Sequence, residues 1–273
     1  MLKDITFGQY FPGTSPLHTT DPRMKVIISL LYMVAVFFAK NIYSFALLLA
    51  FTVFMVAISG IKISVILKGV KPIMFIVVFT ALINLFWTKG ETLIVSFWII
   101  KIYLEGIINA VFMVVRILSL IMGTSLLLSY TTSPIALTDA LERLLKPLKK
   151  IKLPVHEFTM MMTIALRFIP TLIEETEKII NAQKARGADF ESGNILKRAK
   201  ALIPILIPLF ISAFRRADEL AVAMECRCYH GGDGRTKMKI LHLSVSDWIY
   251  FAVMLIFAAG LISLNYIPTV YTL

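Results

Sequence analysis

Residues 42–61 read IYSFALLLAFTVFMVAISGI, a run without a single charge. As an α-helix at 1.5 Å per residue it covers about 30 Å, the thickness of a bilayer's hydrocarbon core. The whole chain shares this character. Of 273 residues 58% are hydrophobic and 16% charged, with a mean hydropathy of +0.80. A soluble domain carries about 25% charged residues. The expected fold class is all-α: a polytopic membrane protein with about five transmembrane helices and long cytosolic helices.

Upstream of that run, residues 1–20 are mixed and turn-rich and are expected to lie along the membrane surface. Asp21-Pro22 reads as an N-cap followed by proline at the first helical position. Arg23 and Lys25 flank Val26–Ala39, which covers only about 21 Å and spans only with Met24 and a snorkelling Lys40. Downstream, Lys62, Lys68 and Lys71 mark a cytoplasmic loop. Pro72–Thr88 is a third span, ending in the interfacial Trp87. Lys89–Lys101, with Glu91 and the short apolar Leu93–Ile100, reads as a partly interfacial connector. Tyr103–Ser129 is a fourth span. Asp247–Tyr266, capped by Ser246, is the last. Arg116 lies inside the fourth. An intramembrane arginine is either functional or bonded to carbonyls of a neighbouring helix. No acidic residue stands one or two turns away, which favours the structural role.

From Thr131 to Lys239 the chain holds 18 of its 28 basic and 12 of its 17 acidic residues. Three regions follow: a transmembrane region 1–130, a cytosolic region 131–239 and a C-terminal transmembrane helix within 240–273. Ser133-Pro134 caps a helix running to about Leu145. Lys146, Lys149, Lys150 and Lys152 then mark this side as cytoplasmic. The net charge of +11 sits beside apolar runs. It fits an anionic leaflet of the lipid bilayer and no nucleic acid.

Two long helical patterns fill the polar region, from about Pro154 to Arg186 and from about Ile195 to Tyr229. The first closes on Ala185-Arg186-Gly187. The second closes on Glu225-Cys226-Arg227-Cys228, and Gly231-Gly232 follow as its stop. Taken singly, an arginine in a last helical turn is ordinary. The helix dipole favours it by about 0.3–1 kcal/mol, and glycine is the default terminator. Its repetition after two similar helices points to a docking surface with two contact points. Met160, Met161 and Met162 fit either an adaptable partner surface or plain membrane-facing core. Pro170 is expected to kink the first helix, and Pro204 and Pro208 stand one turn apart in the second. Phe158–Phe168 and Ala201–Phe214 are not clean spans. Both read as helices half sunk in the bilayer, offering Met160–Met162 and the Leu202–Phe210 stretch to a membrane partner.

No Gly-x-x-x-x-Gly-Lys-[Ser/Thr] motif occurs, so the chain carries no P-loop of its own. Gly231-Gly232-Asp233-Gly234-Arg235-Thr236 lacks its lysine and reads as a flexible loop. Cys226, Cys228 and His230 lack Cys-x₂-Cys spacing and a fourth ligand, so no metal site is expected. None of the four histidines stands beside a nucleophile. No catalytic residue and no bound cofactor are expected. An integral-membrane enzyme would need carboxylates or histidines in the spans, and a self-sufficient secondary transporter would need inverted repeats.

Five motifs in order resemble the transmembrane T component of energy-coupling factor (ECF) transporters, the EcfT/CbiQ-like family. They are Ser15-Pro16-Leu17-His18 with Asp21-Pro22-Arg23-Met24-Lys25; Arg116 with Leu128-Ser129-Tyr130-Thr131-Thr132-Ser133-Pro134; Leu166-Arg167-Phe168-Ile169-Pro170; Ala182-Gln183-Lys184-Ala185-Arg186-Gly187; and Ala223-Met224-Glu225-Cys226-Arg227-Cys228-Tyr229. In the last, Cys226 and Cys228 replace the alanine and glycine while the arginine is kept. The resemblance implies a non-catalytic subunit in the plasma membrane of a prokaryote. It would link two ABC-type ATPase subunits, which bind the ATP, to a membrane S component that carries a vitamin or metal ion inward. Arg186 and Arg227 would each enter a groove in one ATPase.

Overall fold

The computed structural model describes residues 10–88, 92–97, 100–188, 190, 194–232 and 241–267. The readings of residues 1–9, of Lys89 and Glu91, and of the loop beyond Gly232 lie outside them. The order is α1 (Pro16–Thr19), α2 (Pro22–Phe37), α3 (Ile42–Ser59), α4 (Ile63–Val70), a 3₁₀ turn Lys71–Ile73, α5 (Met74–Trp87), β1 (Leu93–Phe97), β2 (Ile100–Tyr103), α6 (Leu104–Thr124), a π-helical stretch Ser125–Tyr130, α7 (Pro134–Leu145), a 3₁₀ segment Lys146–Ile151, α8 (Val155–Ala185), α9 (Ile195–Cys226) and α10 (Val245–Leu264). Apart from the antiparallel β1–β2 hairpin, the fold is helical.

Four helical runs among the described residues are long and apolar enough to cross a membrane: Ile42–Ser59, Ile63–Trp87, Leu104–Tyr130 and Val245–Leu264. The fifth expected span, α2, has only 16 residues. The cytoplasmic loop read at Lys62–Lys71 is corrected: α4 and the 3₁₀ turn run on into α5 as one 25-residue helical stretch. Pro72 is tolerated because it falls in the first turn of the 3₁₀ segment, where its missing N–H is not needed. The connector after Trp87 holds the hairpin, with Phe97 opposite Ile100.

The chain divides into two compact units, with the division inside α7. One is built from described residues of Gly8–Ala140 and Leu241–Leu273. Its core centres on Tyr32, fully buried on α2. The phenol donates to the Ser119 carbonyl of α6 at 2.8 Å and lies 3.2 Å from the Thr52 hydroxyl of α3, while the ring stacks on Phe257 of α10. A Cβ on Gly123 would fall 2.3 Å from that ring, so only glycine lets α6 approach α2 here. Arg116 makes the kind of carbonyl bond that its structural reading expects. It donates to the Ala39 carbonyl just after α2 and lies over the Phe45 ring, 5.3 Å from the centroid.

At one end of this bundle the residues of the N-terminal motif are tied down. Asp21 caps α2 by accepting from the Arg23 amide, and its own amide donates to Asp247 Oδ1 at 2.9 Å. Arg23 pairs with Asp21 at 2.7 Å and donates to the Leu241 carbonyl. Lys25, read as flanking the membrane, is buried and donates to the Thr131 carbonyl at 2.8 Å. His18 Nε2 donates to the Phe11 carbonyl, so in the neutral ring Nδ1 accepts from the Ser15 hydroxyl. The cap of α10 is Ser244, two residues before the expected Ser246. With Asp247 it makes a reciprocal capping box, which Ser246 cannot.

The other unit centres on Leu141–Ile240 and holds the two longest helices. Among its described residues only Thr159 on α8 and Ile205 on α9 are buried. Both helices run unbroken through their prolines: Pro170 in α8, and Pro204 and Pro208 in α9.

Candidate functional site

The two arginine stretches end their helices in the same way, bond for bond. At the first, Gly187 N–H donates to the Lys184 carbonyl at 2.9 Å and Ala188 N–H to the Gln183 carbonyl at 3.0 Å. At the second, Cys228 N–H donates to the Glu225 carbonyl at 2.9 Å and Tyr229 N–H to the Met224 carbonyl at 3.0 Å. Each is a Schellman motif: one bond closes back five residues, the next three, and the residue after the cap turns left-handed. Arg186 and Arg227 occupy the C-cap position of each. Both are exposed, and so are Ala185, Gly187, Cys226 and Cys228 beside them.

The left-handed residue is Gly187 in the first motif, at φ +86°, and Cys228 in the second, at φ +56°. The second terminator is therefore Cys228, and Gly231-Gly232 come after the helix has already ended. The hydrogen-bond pattern, not glycine, defines the motif. A side chain can sit there at a cost of about 1–2 kcal/mol.

Two contacts give the relative direction of α8 and α9. Glu175 pairs with Arg216 at 2.8 Å. Gly232 lies against His156 at the start of α8, so closely that a Cβ would fall 2.3 Å from the imidazole. Passing from 156 to 175 along one helix thus corresponds to passing from 232 back to 216 along the other, and the pair is antiparallel. The arginines stand at opposite ends of it. Thirty residues of helix from His156 to Arg186 span about 45 Å, and the five from Arg227 to Gly232 reach at most about 18 Å. With the few ångströms between Gly232 and His156 allowed for, the tips are at least about 20 Å apart.

The glutamate–arginine pair was not foreseen. Nothing in the spacing of Glu174, Glu175, Arg215 and Arg216 pairs residues 41 positions apart. The Glu175 carboxyl is held below its usual range by a hydrogen bond from the Ser212 hydroxyl, then by Arg216 and Lys178. His156 is fixed by Glu142 Oε1 at 3.0 Å.

Away from the tips, unit surfaces are apolar and uncovered. On α8, Phe158, Met161 and Met162 are exposed and Met160 is half-buried. On α9, Leu202, Ile203, Leu206, Ile207, Phe210, Ile211 and Phe214 are exposed, with Pro204 and Pro208 among them. Phe210 keeps 65% of its surface open. The structure brings the candidate membrane-contact residues onto the same helices as the arginines, but at a distance from either tip.

Comparison with known proteins gives a consistent picture. Residues 13–238 match the family model of CbiQ, described as cobalt transport protein. The chain is 54% identical over 98% of its length, and 99% of the relative's, to the energy-coupling factor transporter transmembrane protein EcfT of Ruminiclostridium cellulolyticum. It is 55% identical to the EcfT of Clostridium kluyveri over 91% of this chain and 92% of that one. With Bacillus subtilis EcfT it shares 47% identity over 97% of its own length and all of the relative's.

Proposed function

Because this chain belongs to the CbiQ family, among the EcfT transmembrane proteins of energy-coupling factor transporters, we propose that it is the coupling subunit of an ECF-type importer. It carries no catalytic residue and no cofactor of its own. Two ABC-type ATPase subunits bind and hydrolyse ATP, and a membrane S component binds the vitamin or metal ion. Arg186 and Arg227 are the points at which the ATPases engage it.

One observation carries this reading: two exposed arginines at the same position of two matching Schellman motifs, at opposite ends of an antiparallel pair. Two separated and equivalent tips fit two equivalent receptors. A helix end presents a compact charge, and arginine offers a rigid fork of donors for carboxylates and carbonyls. The exposed apolar faces of α8 and α9, with Met161, Met162, Pro204 and Pro208 and the half-buried Met160 beside them, fit contact with the S component.

The test separates docking from plain helix capping by magnitude. Losing one partner of a buried charge-assisted contact costs about 2–5 kcal/mol. An exposed dipole interaction is worth at most about 1 kcal/mol. In reconstituted whole complexes at equal protein levels, Arg186→Ala and Arg227→Ala each weaken assembly or ATP-driven uptake, and together abolish it. Lysine at either place rescues only in part, since the charge remains and the fork is lost. Wild-type uptake by the double alanine variant would remove the proposal.

A further inference from the structure

We propose that Glu175 and Arg216, with Ser212, form a clasp that sets the spacing of the two arginine tips, and so act as positioning residues for coupling. The inference rests on the reading of Arg186 and Arg227 as docking points. Three observations carry it.

The clasp is equidistant from both tips. Arg186 lies 11 positions after Glu175, and Arg227 lies 11 positions after Arg216. Eleven residues are about three helical turns and about 16 Å, so each arginine falls within about 20° of the helix face that bears its clasp residue. An antiparallel pair joined at such a point carries its tips symmetrically, which two equivalent ATPases require.

On α9 the partly covered residues Ala201, Leu209, Ala213, Leu220 and Met224 lie on the same stripe as Ile205 and Arg216. Thr159 and Ile205 are the only buried residues among those described on α8 and α9. Apolar side chains on such a stripe can slide past one another, whereas an ion pair at 2.8 Å, with both side chains partly covered and a hydroxyl on the same carboxylate, specifies one register of the two helices. Its part is to specify that register, since a partly exposed ion pair adds little to stability.

The clasp also has leverage. Rotating one helix by 10° about the crossing moves a tip about 16 Å away by about 3 Å, the length of a hydrogen bond. A small loss of definition at the clasp becomes a lost contact at the arginine.

The experiment is a tip-to-tip distance measurement by double electron–electron resonance on the full chain in lipid nanodiscs. Spin labels are placed at Asn181→Cys and Val222→Cys, both exposed, in a Cys226→Ser, Cys228→Gly background. Glu175→Ala, Arg216→Ala and the near-isosteric Glu175→Gln are expected to broaden and shift the distance distribution. The charge-reversed pair E175R/R216E is expected to restore it. In whole complexes without labels, substrate taken up per ATP hydrolysed falls several-fold in the single variants and recovers in the reversed pair. An unchanged distribution in all three single variants overturns the clasp, as does a reversed pair that stays as broad as they are. If instead the double alanine variant of Arg186 and Arg227 transports normally while the distances respond as stated, the docking reading falls and the clasp stands as structure only.

Discussion

Cys228 is the residue that departs most from its counterpart. It holds the left-handed position that Gly187 fills in the matching motif. A Cβ there meets the following carbonyl, at about 1–2 kcal/mol, partly offset because glycine loses more entropy on folding. Cys228→Gly is expected to stabilise the chain by about 1 kcal/mol, and Gly187→Ala to destabilise it by about the same. Thermal unfolding in detergent checks both; shifts of the same sign would contradict the shared geometry. Arg116 belongs to the same scale with the opposite meaning. It serves the Ala39 carbonyl and the Phe45 ring inside the bundle. Arg116→Ala is expected to cost about 1.5–3 kcal/mol through the lost charge-assisted bond. Protein yield and thermal stability fall, while uptake per ATP hydrolysed by the surviving complex is unchanged. A normal yield with broken coupling would make Arg116 a functional residue after all.

Among the elements, α8 and α9 are unlike the rest. Each carries an apolar stretch left open to its surroundings, short on α8 and long on α9, and a charged stretch nearer its C-terminal end. In the proposed complex the S component covers the apolar stretches. Photocrosslinkers at Met161 or Phe210 are expected to capture it, and crosslinking confined to α10 would count against the assignment. The crossing of the same helices has a pH signature. The Glu175 carboxyl is held below its ordinary range, so its pairing stabilises the native arrangement above that range and is lost as pH falls through the depressed value. The groups facing it are Ser212, Arg216 and Lys178. Tip-to-tip distances are expected to stay constant from neutral pH down to the ordinary carboxylate range and to broaden only below it. Broadening nearer neutrality would point to a histidine.

On the scale of the whole molecule, topology and chemistry can be tested together. By the positive-inside rule the basic residues between α6 and α10 lead us to expect Thr131–Lys239 on the cytosolic side. A cysteine at Lys150 is expected to resist a membrane-impermeant reagent applied outside intact cells and to react after permeabilisation. Labelling from outside would invert the scheme. The purified chain, free of partner ATPases, is expected to turn over no ATP, since it lacks the glycine-rich lysine loop that holds the phosphates.

Helix by helix, much of this was written in the sequence, because hydropathy and helix punctuation are local. Asp21-Pro22 opened α2, Ser133-Pro134 opened α7, and Pro154 to Arg186 bounded α8, each from residues within one turn of the boundary. The two arginine tips were legible for the same reason. Boundaries went wrong where a neighbour decided them. Pro72 looked like a break but falls where a missing N–H costs nothing. Ser244 displaced Ser246 because the cap needs Asp247 three residues on. What only the tertiary structure decided were the partnerships between distant segments. Lys25 reaches Thr131, Asp21 reaches Asp247, and Glu175 reaches Arg216. A charge in a sequence states what it can bind, but not which group the fold will bring within 3 Å of it.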